Sequence, residues 1–178
     1  MTIIHDVDAT PPQPPVVSMR LATSADVDAI KTVVDANVAL GHLLPRSREH
    51  IAAALGNWMV ADVAGQIVGI GSLLEMGPGL VEVRSLAVLP AYQRYGVGGA
   101  IVKALVNEAQ RRGYPTVFAL TRAVGFFERM GFVVTEHERF PEKVWRDCVL
   151  CPLKDRCDET AVVIEFATWR NGAGEGGQ

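Results

Sequence analysis

A chain of 178 residues that is 49% hydrophobic is long enough for one domain with a packed core. Its formal net charge of −3 excludes a nucleic-acid binder that works by counterion release, but leaves room for a small anion held by a few local cations. Nothing reads as a membrane span or a secretory leader, because Asp62, Gln66 and Glu75 interrupt the most apolar window and Asp6 and Asp8 stand where a leader needs apolar residues.

These features predict a cytoplasmic protein with no nucleic-acid or membrane partner. Residues 1–15, which include Thr10-Pro-Pro-Gln-Pro-Pro, and residues 169–178, ending in Gly-Glu-Gly-Gly-Gln, lack apolar periodicity and read as disordered tails around a domain at 16–168.

In chain order, Val16 to Thr23 reads as a strand. Ser24 is the expected N-cap of a helix with Asp26 and Asp28 in its first turn and Val27, Ile30, Val33, Val34 and Val38 at helical spacing. A short helix is predicted over Arg46 to Leu55. Two β runs follow, joined at Ala64-Gly65 as a hairpin, and then "GLVEVRSLAVLP", which turns fully apolar as a strand does on entering a sheet centre. Val97 to Arg112 reads as a helix closed by Gly113 in the left-handed conformation. "TVFALT" is a strand, "AVGFFERM" a short helix ending at Gly131, "FVVTEHE" a strand, and Glu159 to Phe166 the last strand. The order β-α-α-β-β-β-α-β-α-β-β predicts one α/β (α+β) domain, a mixed central sheet with helices on both faces.

Between strand and helix lies Gln93-Arg94-Tyr95-Gly96-Val97-Gly98-Gly99. Glycines there cost helix propensity, and a phosphate seated on unpaired N–H groups at a helix start gives them a reason. Two other phosphate loops are excluded: a dinucleotide fingerprint needs glycine where Ile101 stands, and a Walker loop needs Lys-Ser/Thr where Ala100-Ile101 stands. A glycine-rich helix start with no ligand is the alternative.

With this loop, residues 18 to 136 resemble the GCN5-related N-acetyltransferases, whose loop pattern Arg/Gln-x-x-Gly-x-Gly/Ala is matched by Gln93, Gly96 and Gly98. The resemblance implies acetyl-CoA as cosubstrate. It implies that the amides of the Gln93–Gly99 loop, with Arg94, Tyr95 and Val97 among them, bind the pyrophosphate, and that Leu86, Ala87 and Val88 pair with the pantetheine arm. A homodimer is its expectation for assembly.

Acetyl transfer needs a neutral amine, an oxyanion stabiliser and a proton for the departing thiolate. Glu82 occupies the place of the family's general base, and simple alternation sets Arg84 and Leu86 on its face; an ion pair with a nearby cation is the alternative for Glu82. Many family members carry a tyrosine in the helix before "GF", but Phe126-Phe127 stand here, so the acid is unassigned, with Thr121 a candidate for donation through water.

"VEVRSLAV", "LTRAVGFFERMGF" and the stretch from Glu138 to Val163 resemble short stand-alone bacterial N-acetylglutamate synthases. That resemblance implies L-glutamate as acceptor, with Arg84 foremost for a carboxylate and Lys143 and Arg146 as further cations; a solvated charged face is the alternative for the last two. Cys148, Cys151 and Cys157 admit three readings: buried thiols, ligands of a metal that would need a fourth donor, or a redox pair at Cys148 and Cys151. No metal is assigned. A silent coenzyme A-binding sensor and an acetyltransferase for another amine are the competing functions.

Overall fold

A computed structural model of the chain describes residues 15–141, 148–150 and 154–166. Both expected tails fall almost wholly outside them. The elements are β1 (Ser18–Leu21), α1 (Val27–Ala39), α2 (Arg48–Ala53), β2 (Trp58–Val63), β3 (Gln66–Gly77), β4 (Leu80–Val88), α3 (Val97–Arg111), β5 (Thr116–Thr121), α4 (Val124–Glu128), β6 (Val133–Thr135) and β7 (Thr160–Glu165). Their order is the one expected from the sequence.

Local chemistry sets the boundaries. Thr23, rather than Ser24, precedes the first turn of the α1 segment, and the Asp26 carboxylate accepts from the Thr23 amide at 2.7 Å and the Thr23 hydroxyl at 2.9 Å. Asp26 also accepts from Arg20 at 2.7 and 2.9 Å, and Arg20 reaches Asp62 at 3.2 Å, which ties β1, α1 and β2 together. The Arg20 guanidinium holds the buried Asp26 carboxyl far below the usual carboxylate range. The β2–β3 hairpin turns on Ala64 (φ 51°) and Gly65 (φ 87°), the positive-φ pair that a two-residue hairpin requires. The expected strand "FVVTEHE" is shorter, since residues 137–139 coil into a 3₁₀ turn that brings Phe140 onto Phe118, with ring centroids 4.1 Å apart.

The seven strands form one sheet in the order β1-β2-β3-β4-β5-β7-β6. All pairs are antiparallel except β4 and β5. Side chains of α3 and α4 cover one face, with Ile101, Leu105 and Phe127 packed on Val81, Val83, Val117 and Ala119. A Cβ on Gly71 would come within 2.8 Å of both Ile101 and Leu105, so the glycine lets α3 lie close on β3. Under the opposite face, Ile30, Val34 and Ile51 of α1 and α2 pack on Trp58, Val60 and Ile70, while Phe118, Phe140 and Val163 form a separate cluster. Between those two clusters the sheet face lines a cleft.

Parallel pairing of β4 with β5 runs only from Leu80 to Glu82, against Thr116 to Phe118. Beyond Glu82 that edge of β4 has no strand partner among the described residues, and the site lies there.

Candidate active site

Two adjoining cavities meet at the C-terminal end of β4. The first, about 620 Å³, sits at the start of α3. Gln93 donates through Nε2 to the Val88 carbonyl at 3.1 Å and so pins the loop to the strand end. Arg94 (φ 73°) and Gly96 (φ 77°) adopt the left-handed conformation, and no side chain caps the helix start. Open amides and the helix dipole therefore face the cavity, an arrangement suited to an anion.

The loop glycines serve different ends. Gly96 is required by its φ, with nothing within 4 Å of an added Cβ; Gly99 lets α4 approach, since a Cβ there would stand 3.2 Å from Met130 Sδ; Gly98 has only ordinary contacts and lines both cavities. Conformation thus accounts for Gly96 and helix packing for Gly99, while nothing in the packing requires Gly98. The Val97 side chain is 2% exposed and belongs to the core, which leaves only its main chain for a ligand. Tyr95 is 47% exposed and stands on the wall of neither cavity.

The second cavity, a cleft of about 710 Å³, opens beneath the α1–α2 loop on the sheet face between the two smaller clusters. Glu82, Arg84 and Thr121 line it together with Leu86, Ala87 and Val88. A bulge shapes it: Arg84 pairs with Ser72 and Ala87 with Ile70, so Ser85 and Leu86 oppose Gly71 alone, and Ser85 takes φ 54°. The bulge shifts the side-chain phase by one. Leu86 and Val88 consequently pack with Val81 and Val83 on the α3 side, and Ala87 joins the α1 side. This corrects the expectation from alternation that Arg84 and Leu86 share a face.

Glu82 is 3% exposed and Thr121 8% exposed. The Thr121 Oγ1 accepts from the Ala123 amide at 2.9 Å, which orders the entry to α4 and leaves the hydroxyl hydrogen to donate elsewhere. Phe126 lines both cavities, whereas Phe127 reaches only the cleft from the core, edge-on to Phe126 and Phe132.

Arg46 was not singled out from the sequence, yet it lines the cleft with Glu82 and Arg84. Its Nη1 donates to the Pro45 carbonyl at 3.2 Å, and its buried Nε has no hydrogen-bond partner among the described residues. The one local signal is Ser47, which caps α2 by accepting from the His50 amide and so fixes the residue before it. Arg122, Cys157 and Glu159 also reach the cleft wall, with Arg122 Nε donating to Asp158 at 2.6 Å. Lys143, Arg146 and Cys151 lie outside the described residues. Cys148 is half-buried and Cys157 exposed, and no three His, Cys, Asp or Glu side chains converge among the described residues. Nor is any described helix long and apolar enough to cross a membrane.

This geometry, a glycine-turned anion loop beside a carboxylate-bearing cleft where two parallel strands separate, defines an acyl-CoA-dependent transferase. Residues 33–132 match the acetyltransferase (GNAT) family, and the chain belongs to that family of N-acetyltransferases. An uncharacterized N-acetyltransferase from Chlorobaculum tepidum is 39% identical over 145 residues, which cover 82% of this chain and 94% of the relative. The amino-acid acetyltransferase of Mycobacterium tuberculosis is 38% identical over 121 residues, 66% of this chain and 69% of that one. Among solved structures, N-acetylglutamate synthase from Neisseria gonorrhoeae, complexed with coenzyme A and N-acetyl-glutamate, superposes with a TM-score of 0.75 at 25% identity. That match covers 85% of this chain but 35% of the synthase, so the present chain spans about a third of its length. A Mycobacterium tuberculosis protein in complex with CoA and a second ligand gives a TM-score of 0.70 at 30% identity, over 86% of this chain and all of that one.

Proposed function

We propose that the protein transfers acetyl from acetyl-CoA to the α-amino group of L-glutamate, the first step of arginine biosynthesis. The observation that carries the reading is Glu82, 3% exposed on a cleft that it shares with Arg46 and Arg84 and that adjoins the glycine loop. Coenzyme A in the synthase-like neighbours and the amino-acid acetyltransferase name of the mycobacterial relative support it.

The loop amides and the α3 dipole hold the pyrophosphate, and Gln93 keeps the loop against β4. The edge of β4 freed beyond Glu82 offers main-chain groups to the amides of the pantetheine arm, which carries the thioester to the bulge. Arg46 and Arg84 hold the two carboxylates of glutamate, so that its ammonium points at Glu82. Glu82 takes one proton from the ammonium, directly or through water, and frees the nitrogen lone pair to attack the thioester carbonyl. Main-chain N–H groups at the Ser85 bulge steady the negative charge that develops on the carbonyl oxygen. As the C–S bond breaks, the attacking nitrogen gives up its second proton, which water on the Thr121 side relays to the departing coenzyme A thiolate, and Glu82 returns its own proton to solvent.

The test is release of free coenzyme A from acetyl-CoA, assayed with glutamate, glutamine, aspartate and lysine as acceptors. A strong preference for glutamate is expected. Turnover confined to glutamine or lysine would overturn the two-carboxylate reading of the cleft, and binding of acetyl-CoA without turnover on any acceptor would turn the reading towards a coenzyme A sensor.

A further inference from the structure

The cations of this protein are unevenly partnered. Among the described residues Arg20, Lys31, Arg48, Arg111, Arg112, Arg122 and Arg139 each pair with a carboxylate. Arg94, Lys103 and Arg129 have no ion-pair partner among those residues, and all three stand on the wall of the 620 Å³ cavity at the start of α3. Acidic residues outnumber basic ones, 20 to 17, so three cations left together without one mark a place kept for an outside anion. The wall of this cavity contains no Asp or Glu, whereas that of the neighbouring cleft holds Glu82 and Glu159.

Their placement follows from the helices. Lys103 lies four residues beyond Gly99 on the same face of α3, about 6 Å further along the axis than the open amides. The close approach of Met130 to Gly99 brings Arg129, at the end of α4, to the same wall. Arg94 closes the wall from the loop, fixed there by its left-handed backbone.

We propose that Arg94, Lys103 and Arg129 form a second phosphate subsite, which takes the phosphomonoester on the adenosine ribose of coenzyme A and makes the enzyme discriminate against the dephospho form. The proposal rests on the acetyl-CoA reading above and adds a division of labour to it. A pyrophosphate diester carries about two negative charges and is served by amides and a helix dipole. A phosphomonoester adds up to two more and three exposed oxygens, and exposed side-chain cations at the rim suit that group.

The experiment is calorimetric titration of the full chain with coenzyme A and with dephospho-coenzyme A, at low salt and near 0.15 M. It is repeated on Lys103→Ala, Arg129→Ala and the double variant, with Lys103→Arg as charge-retaining control. Coenzyme A should bind on the order of 10- to 100-fold more tightly than the dephospho form, with the gap narrowing at higher salt. Each Ala variant should lose affinity for coenzyme A several-fold and leave the dephospho form nearly untouched, and Lys103→Arg should restore most of the gap. Equal binding of both ligands to the unsubstituted protein would overturn the subsite while leaving the acetyl-CoA reading intact. Parallel losses for both ligands in the variants would assign the cations to the pyrophosphate and overturn it as well. Failure of coenzyme A itself to bind would overturn the acetyl-CoA reading and the subsite with it. Unchanged circular dichroism across the variants separates these outcomes from misfolding.

Discussion

The two cavities that meet at the end of β4 are built in different ways. The anion-loop cavity draws almost wholly on Val88 to Lys103, with one helix, α4, closing it. The Glu82 cleft takes Arg46 from the α1–α2 loop, Glu82 and Arg84 from β4, Thr121 and Arg122 from the end of β5, and Cys157 and Glu159 from the segment before β7. Only the fold brings those four stretches together. A site made of main-chain amides needs particular local conformations, and local conformations leave marks in adjacent residues. A site made of converging side chains depends on strand order, register and phase, which no short stretch records.

The two cavities should differ most at Glu82. Glu82→Gln should lower turnover by about 10²- to 10⁴-fold, the range for loss of a general base, while coenzyme A affinity by calorimetry stays as it was. Turnover within a few-fold of the unsubstituted protein would remove Glu82 from the chemistry and leave it a structural carboxylate. Arg46→Ala comes next. Losing a charge-assisted contact to a substrate carboxylate should raise KM for glutamate by roughly 10- to 100-fold, and Arg46→Lys should recover only part because the planar fork is gone. An unchanged KM would shrink the acceptor site to its β4 and β5 members. On the loop side, Gly96→Ala should cost about 1 kcal/mol in chemical denaturation, since φ 77° is strained for a side chain although nothing crowds the Cβ.

Particular residues show where the sequence was readable. Gly113 (φ 84°), Gly131 (φ 92°) and the Ala64-Gly65 turn stand where their residue types predicted turns, because backbone conformation is a local property. Gln93, Gly96 and Gly98, the three residues that match the loop motif, all line the loop cavity. The phase of β4 beyond Arg84 was not readable, since Ser85 carries no glycine or asparagine signal for its positive φ, and one bulge transfers Leu86 to the other face. Arg46 was not readable either. It lies 36 positions before Glu82 in the chain, and only the seating of the α1–α2 loop over the open stretch of the sheet brings the two to one cleft.

The smallest expected effect bears on how self-contained the anion loop is, because it comes from the far end of the same helix. Glu108, in the last turn of α3, accepts from Arg111 at 2.7 Å through both Nε and Nη2 and from Arg112 at 2.8 Å, and Arg112 reaches on to Asn57 at 2.6 Å and to the Gly56 carbonyl. An acidic residue at a helix C-terminus is unfavourable to the dipole, and these two guanidiniums offset that. The Arg111 hydrogen bonds foremost, then those of Arg112, overcome desolvation and lower the Glu108 carboxyl from 4.5 to about 2. A carboxyl depressed on folding contributes stability that is complete above about pH 4.5 and is lost as pH falls towards 2. Because Arg111 is 69% exposed and solvent screens it, the contribution is about 1 kcal/mol rather than the full linkage value. Glu108→Gln should therefore lower Tm by a few degrees at pH 7, with the gap narrowing as pH falls from about 4.5 towards 2, while coenzyme A affinity stays level. A Tm gap that does not narrow over that range would mean that the loss is one of packing rather than charge. A fall in coenzyme A affinity would mean that α3 transmits strain from its C-terminus to its N-terminus, and the anion loop would then be no more local than the Glu82 cleft.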